Sequence, residues 1–144
     1  MAIRDTAAEW RDRFAPALGD LEALALEAYA NLPQEFRQLT GEVMILVADF
    51  PEEEVVEELD LESPFDILGL FEGRGIAEKI NPQSGEFPNR ISLYRRPILD
   101  YWAENEEKLS DIVTHVLVHE IGHHFGLSDD DMERIEAAAG EPAQ

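Results

Sequence analysis

From Val113 to Phe125, the residues Val113, Leu117, Ile121 and Phe125 recur every four positions, the spacing of one face of an α-helix. His115, His119 and His123 recur at the same spacing, two residues out of step, which puts them ~200° round the axis from the apolar stripe. Such a helix has to lay one side on a core and turn its imidazole-bearing side away from it. Between positions 112 and 121 the only formally charged side chain is Glu120, and an unpaired carboxylate in apolar surroundings is costly. All four histidines of the 144 residues lie between His115 and His124.

Read as a helix, "HEIGH" sets His119 and His123 one turn apart on one face, where two neutral nitrogens can hold one metal ion. Glu120 lies ~100° round from His119, off the ligand line but within reach of a water on the ion. That arrangement suits hydrolysis, with nitrogen ligands holding the metal and a non-ligating carboxylate accepting a proton from the water. The plainer alternative is a buried helix whose histidines are satisfied by hydrogen bonds. Gly126 stands three residues past His123, where helices commonly end in a left-handed glycine. The turn would carry "LSDDD" back toward the histidine face, making Asp129 a candidate third ligand and leaving a fourth position for water. Taken singly, Gly126 is a helix stop and Asp129 the N-cap of the next helix.

Other residues compete for these roles. His115 could pair with His119, but Val116 would then occupy the general-base position, so His115 is read as supporting or structural. His124 lies ~100° off the ligand line and is expected to meet solvent or a carboxylate. Asp130, Asp131, Glu133 and Glu136 are alternative carboxylate ligands. The tyrosine and arginines of "LYRR" could grip an oxyanion or a substrate backbone, although Arg95 and Arg96 are expected to pair with acids.

Composition narrows the remaining classes. Hydrophobic residues make up 44% of the chain, enough for a globular core without a disulfide or structural metal. With no cysteine, thiolate zinc sites and cysteine nucleophiles are excluded, and a reducing compartment fits. The formal net charge of -21 repels nucleic acid and anionic membranes and favours basic partners, if it is more than a solubility device. The N-terminal "MAIRDTAAEWRDRF" has no signal-peptide core, and no apolar run approaches the ~20 residues of a membrane span. A cytoplasmic, monomeric single domain over residues 1–144 is expected.

Along the chain, helix is expected from Thr6 to Asn31, broken near "FAPALGD". Asp20 is the expected cap of a second helix with an apolar stripe of Leu21, Leu24, Ala25 and Ala28. "VMILVADF" reads as a buried strand, "EEEVVEELD" as a short surface helix, and "DILGLFEG" and "RISLYRRP" as further strands. "GRGIAEKINPQSGEFPNR" between them is turn-rich and expected to be mobile. Helix resumes at "PILDYWAEN" with Pro97 in its first turn, then from about Lys108 to Phe125, and finally over "DDDMERIEAAAG". Strands and helices segregate, which makes an α+β chain with a small mixed sheet packed on the histidine helix.

"HEIGHHFGLSD" is similar to the extended zinc signature of the metzincins, in the variant with aspartate as third ligand. The chain more closely resembles the small bacterial zincin-like family of minimal metallopeptidases, through "VMILVADFP", "DILGLFEG", "ISLYRRPIL" and "VLVHEIGHHFGLSDDDME". The resemblance implies a compact zincin-like fold, Zn2+ on His119, His123 and Asp129, and Glu120 as general base. Larger metzincins carry a methionine turn beneath the metal, well after the motif; Met132, three residues beyond Asp129, does not match that placing. The expected function is a zinc-dependent metallopeptidase acting on peptide or protein substrates, basic ones favoured. Zinc is preferred to iron, manganese or nickel by ligand type and resemblance alone, since two histidines and a carboxylate also suit iron. The alternatives are a non-catalytic metal-binding or interaction module on the same fold, and a hydrolase of small amides.

Overall fold

The computed structural model describes residues 6–73 and 89–140. It opens with a short helix, α1 (Thr6–Trp10), and a longer one, α2 (Leu18–Ala30), so the expected break falls over residues 11–17. Asp20 is not the cap of α2 but its third residue; its Oδ2 accepts the N–H of Ala17 at 2.8 Å. The stripe expected on α2 is present, with Leu21, Ala25 and Ala28 buried and Leu24 packed beside them. A helix not expected from the sequence follows, α3 (Gln34–Thr40), which starts at Pro33 and buries Phe36 and Thr40.

Three strands form one sheet: β1 (Val43–Ala48), β2 (Gly69–Glu72) and β3 (Asn89–Tyr94), in the order β1-β3-β2. β1 runs parallel to β3 and β2 antiparallel to it, so the sheet is mixed. β1 was expected to be a buried strand. It is an edge strand with alternating exposure, and Met44 and Leu46 on its outer face are 43% and 39% exposed. Its continuous apolar run hides the fact that only one face meets a helix. β3 is the central strand, with Ile91 and Leu93 fully buried. The surface helix expected at "EEEVVEELD" is α4 (Glu53–Glu58), which buries nothing. The turn-rich stretch expected to be mobile lies largely at residues 74–88, outside the described residues.

After β3 the chain turns directly into α5 (Arg95–Glu104), whose first turn holds Pro97, then α6 (Leu109–His124) and α7 (Asp129–Gly140). α6 lies across the middle, touching α2, α5, α7 and the inner face of the sheet. Val113, Leu117 and Ile121 are fully buried, as the stripe requires, whereas its fourth member, Phe125, is exposed at the helix C-cap. Beside them Ile112, Val116 and Val118 are buried too, so the buried face is wider than one stripe. No described helix is long and apolar enough to cross a membrane.

The edge strand β2 lies unusually close to α6 because it begins with glycine. A Cβ on Gly69 would stand 2.6 Å from Val116 Cγ1 and 3.0 Å from the Ser92 carbonyl oxygen. Gly69→Ala should therefore push β2 off the helix and destabilise the protein by ~1–3 kcal/mol, the usual range for overpacking. Combined with Val116→Ala, it should destabilise by less than the sum of the two single changes, by at least ~0.5 kcal/mol. Urea unfolding of the four proteins in this cycle tests the contact, and strict additivity would show that it does not hold β2 in place.

Candidate metal centre

α6 ends as the glycine signal foretells. Gly126 has φ 74°, a left-handed conformation that only glycine adopts without penalty. Its N–H donates to the His123 carbonyl at 3.2 Å, and the Leu127 N–H donates to the Gly122 carbonyl at 2.9 Å. This pair of bonds is the Schellman closure. The next helix is capped by Ser128, not by Asp129. Ser128 Oγ accepts the Asp131 N–H at 3.1 Å, and Asp131 Oδ2 accepts the Ser128 N–H at 3.4 Å. Asp129 is thereby the first residue of α7, and exposed.

The reversed chain packs back on α6 through Met132, which is fully buried. A Cβ on Gly122 would sit 2.5 Å from Met132 Sδ, so the glycine inside "HEIGH" lets the two helices meet there. Met132 thus lies against the histidine helix despite its nearness in sequence to Asp129. Glu136, one turn further along α7, comes level with the preceding turns of α6. Its Oε1 lies 2.7 Å from His115 Nδ1 and its Oε2 3.3 Å from His119 Nε2.

The imidazoles are arranged as an array along α6. The rings of His119 and His123 stand edge to face with centroids 5.6 Å apart, while His115 stacks on His119 at 3.9 Å. Among the described residues, the one group of three His, Asp or Glu ligand atoms lying within 4.8 Å of one another is His115, His119 and Glu136. His119, His123 and Asp129 do not form such a group. The structure therefore pairs His119 and His123 on one helix face, as the sequence predicts, without gathering Asp129 onto them. His115, read as a supporting residue, and Glu136, one of four alternative acids, are the residues it brings together with His119. His124, expected to meet solvent or a carboxylate, is exposed to solvent and also lays its ring against Phe71 of β2, with centroids 4.6 Å apart.

Donor chemistry fits a divalent metal of the zinc type. The centre offers imidazole nitrogens and carboxylate oxygens with no thiolate, the donor set of catalytic and not of four-cysteine structural sites. Beside it runs a cleft of about 350 Å³ lined by Asp66, Ile67, Leu68, Gly69, Tyr101, Glu107, Ile112, His115, Val116, His119 and Glu120. One wall is the start of β2, and the other is the His115–Glu120 face of α6. Tyr101, from α5, donates from its hydroxyl to Glu107 at 2.8 Å, and this hydrogen bond pushes the tyrosine's pKa up. The sequence reading missed both residues. They come together only because α5 and α6 are joined by a short turn, and no spacing rule marks them. The "LYRR" residues lie elsewhere: Tyr94 is buried, Arg95 pairs with Asp49 at 2.7 Å, and Arg96 sits over the Phe50 ring.

Glu120 faces this cleft half-buried. Burial raises its pKa above the ordinary carboxylate value, and the charge of nearby His123 only partly offsets this. A carboxyl group whose folded pKa is raised favours its neutral form, so ionising it subtracts stability as pH rises through the normal carboxylate range. Metal-free Glu120→Gln should therefore unfold at higher urea than the parent at pH 7, and the gap should close as pH falls below ~4. A gap that is absent at pH 7, or that widens in acid, would contradict this burial.

A family model described as zincin-like metallopeptidase matches residues 40–139, a span that takes in all three strands and the paired helices α6 and α7. No curated protein matches the chain. The match covers most of the sequence and includes the histidine helix, its glycine closure and the cleft. On that extent of agreement, the chain belongs to the zincin-like metallopeptidase family.

Proposed function

We propose that the chain is a zinc-dependent peptidase in which His119 and His123 hold the ion, Asp129 completes the ligand set, and Glu120 is the general base. The observation that carries this reading is the placement of Glu120. It is half-buried, next to a histidine of an i,i+4 pair, on the wall of a cleft beneath a strand edge. The 5.6 Å between the His119 and His123 ring centroids suits two imidazoles sharing one ion at ~2.0–2.1 Å from each nitrogen. Asp129 lies at the exposed start of α7, where a change of side-chain rotamer, or of the turn preceding it, is needed to bring it to the pair.

Zinc bound here would supply Lewis acidity toward a carbonyl and a water of lowered pKa. Glu120 takes a proton from the attacking water and returns it to the leaving amine, and its raised pKa suits both halves of that exchange. β2 is the strand that borders the cleft, and among the described residues its outer edge carries no partner strand in the sheet. An extended peptide can pair with that edge by strand addition, through Ile67–Phe71 and not through the central β3. Asp66, Glu107 and Glu120 line the cleft, with no lysine or arginine among the described residues there, which favours peptides with basic side chains near the scissile bond.

A second reading is supported by a specific observation: the converged ligand group contains His115 and Glu136 in place of His123 and Asp129. On that reading the chain binds metal on the same fold without efficient turnover. Glu120→Gln separates the two. It keeps the side chain's size while removing the proton acceptor, so cleavage of an unstructured basic peptide library with zinc should fall by ~10²–10⁴-fold. Zinc occupancy should be unchanged, since Glu120 is not a ligand. Equal cleavage by parent and variant would dismiss Glu120 as the base. Zinc binding with no chelator-sensitive cleavage by the parent would favour the binding module.

A further inference from the structure

We propose that His115, His119 and Glu136 form a second divalent-cation station, which competes with the His119–His123–Asp129 register for the same histidine. The exclusivity, though not the station itself, rests on the ligand assignment proposed above.

The station is built by the register between α6 and α7. Met132 seats on Gly122, and from there the two helices run back along each other. One turn beyond Met132 on α7 is Glu136; about one turn before Gly122 on α6 is His119, and a further turn before that is His115. One carboxylate therefore spans two imidazoles, with one oxygen 2.7 Å from His115 Nδ1 and the other 3.3 Å from His119 Nε2. Two ligands on a tetrahedral zinc at ~2.0–2.2 Å stand ~3.4 Å apart, so the His119–Glu136 separation is already that of co-ligands. His115 and His119 are stacked at 3.9 Å with their planes 29° apart. In this stacked arrangement His115 Nδ1 and His119 Nε2 both already face the carboxylate.

The surroundings favour a cation there. Glu136 also lines a larger groove of about 640 Å³ between α2, α6 and α7, together with Glu27, Asp111 and Glu133. His115 and His119 line the cleft beside Glu120. The station thus joins two recesses whose charged walls are acidic, and their field draws divalent ions toward it. On binding, the ion takes the place of the direct contact between His115 Nδ1 and Glu136, and a neutral His115 then carries its one ring proton on Nε2.

Both registers need His119. A neutral imidazole has one lone pair for a ligand, so His119 Nε2, which faces Glu136, serves one ion at a time. In the second register the residue after the first histidine is Val116, and Glu120 stands beyond the second. The ion is then held in a different relation to Glu120 from that of the peptidase register. The protein has two places to hold one metal on one helix, and occupancy of the station withdraws His119 from the peptidase register.

The test uses the full chain with Zn2+ or Co2+ alone. Zinc affinity is read by competition with a chromophoric chelator, Co2+ coordination by its visible absorption, and folding by circular dichroism. The His123→Ala, Asp129→Ala double variant should still bind one ion, because the station remains. Adding either His115→Ala or Glu136→Gln should weaken that binding by at least ~10–100-fold, since losing a ligand should cost no less than losing a residue that supports one. The first of these side chains is 56% exposed and the second 24%, so the two variants give independent routes to a folded protein. A folded double variant that binds no ion overturns the station, as does residual binding indifferent to both added changes. The peptidase ligand assignment fails in a different way: zinc binding by the otherwise unaltered chain would vanish with Glu136→Gln alone and survive His123→Ala.

Discussion

Burial of the Val113–Leu117–Ile121 stripe governs the rest of the molecule. Three fully buried side chains on one helix face contribute several kcal/mol of apolar burial between them, at ~1.5–3 kcal/mol each. With the rotation of α6 fixed in this way, the histidine stripe on its far side has no freedom to enter the core. It must border a recess, and Glu120 must stand at the margin between core and cleft. That position accounts for its half-burial and its raised pKa. The chemistry of the site therefore follows from the packing of the helix that carries it.

A second constraint is the contact at Gly122. Schellman closure at Gly126 reverses the chain, and Met132 docks where a side chain on residue 122 would otherwise stand. From that point the pairing of α6 with α7 decides which acids approach which histidines. Glu136 comes to His115 and His119, while Asp129 remains at the exposed helix start. Gly69 acts comparably on the other side of α6. Its missing Cβ lets the edge strand rest on Val116 and sets one wall of the cleft. Glycines thus fix both boundaries of the site through close approach.

What the sequence reveals and what it withholds follow from the range of the interactions. α6, its closure at Gly126 and the existence of α7 depend on periodicities and turn chemistry confined to a few residues, and all three were legible. The pairing of His119 with His123 is of the same local kind. α3 was not legible, because "QEFRQLT" carries little apolar periodicity and is held by burial of Phe36 and Thr40 against the rest of the fold. β1 showed its strand character but not its exposed face, since a run such as "VMILVA" does not say whether both sides are covered. The meeting of Glu136 with His115 depends on how two helices pair, and that of Tyr101 with Glu107 on the turn between two others. Neither leaves a mark in local spacing. Residue spacing together with the family resemblance placed Asp129 in the ligand set, whereas helix pairing decides which carboxylate is nearest.

In the proposed peptidase, the ion sits on His119 and His123, within reach of Glu120. An anomalous difference map at the zinc edge, from crystals of the parent protein loaded with one equivalent of Zn2+, tests it most directly. The expected result is a peak ~2.0–2.2 Å from a nitrogen of each of these histidines and from an Asp129 oxygen. A peak held instead by His115, His119 and Glu136, with His123 and Asp129 turned away, would contradict it.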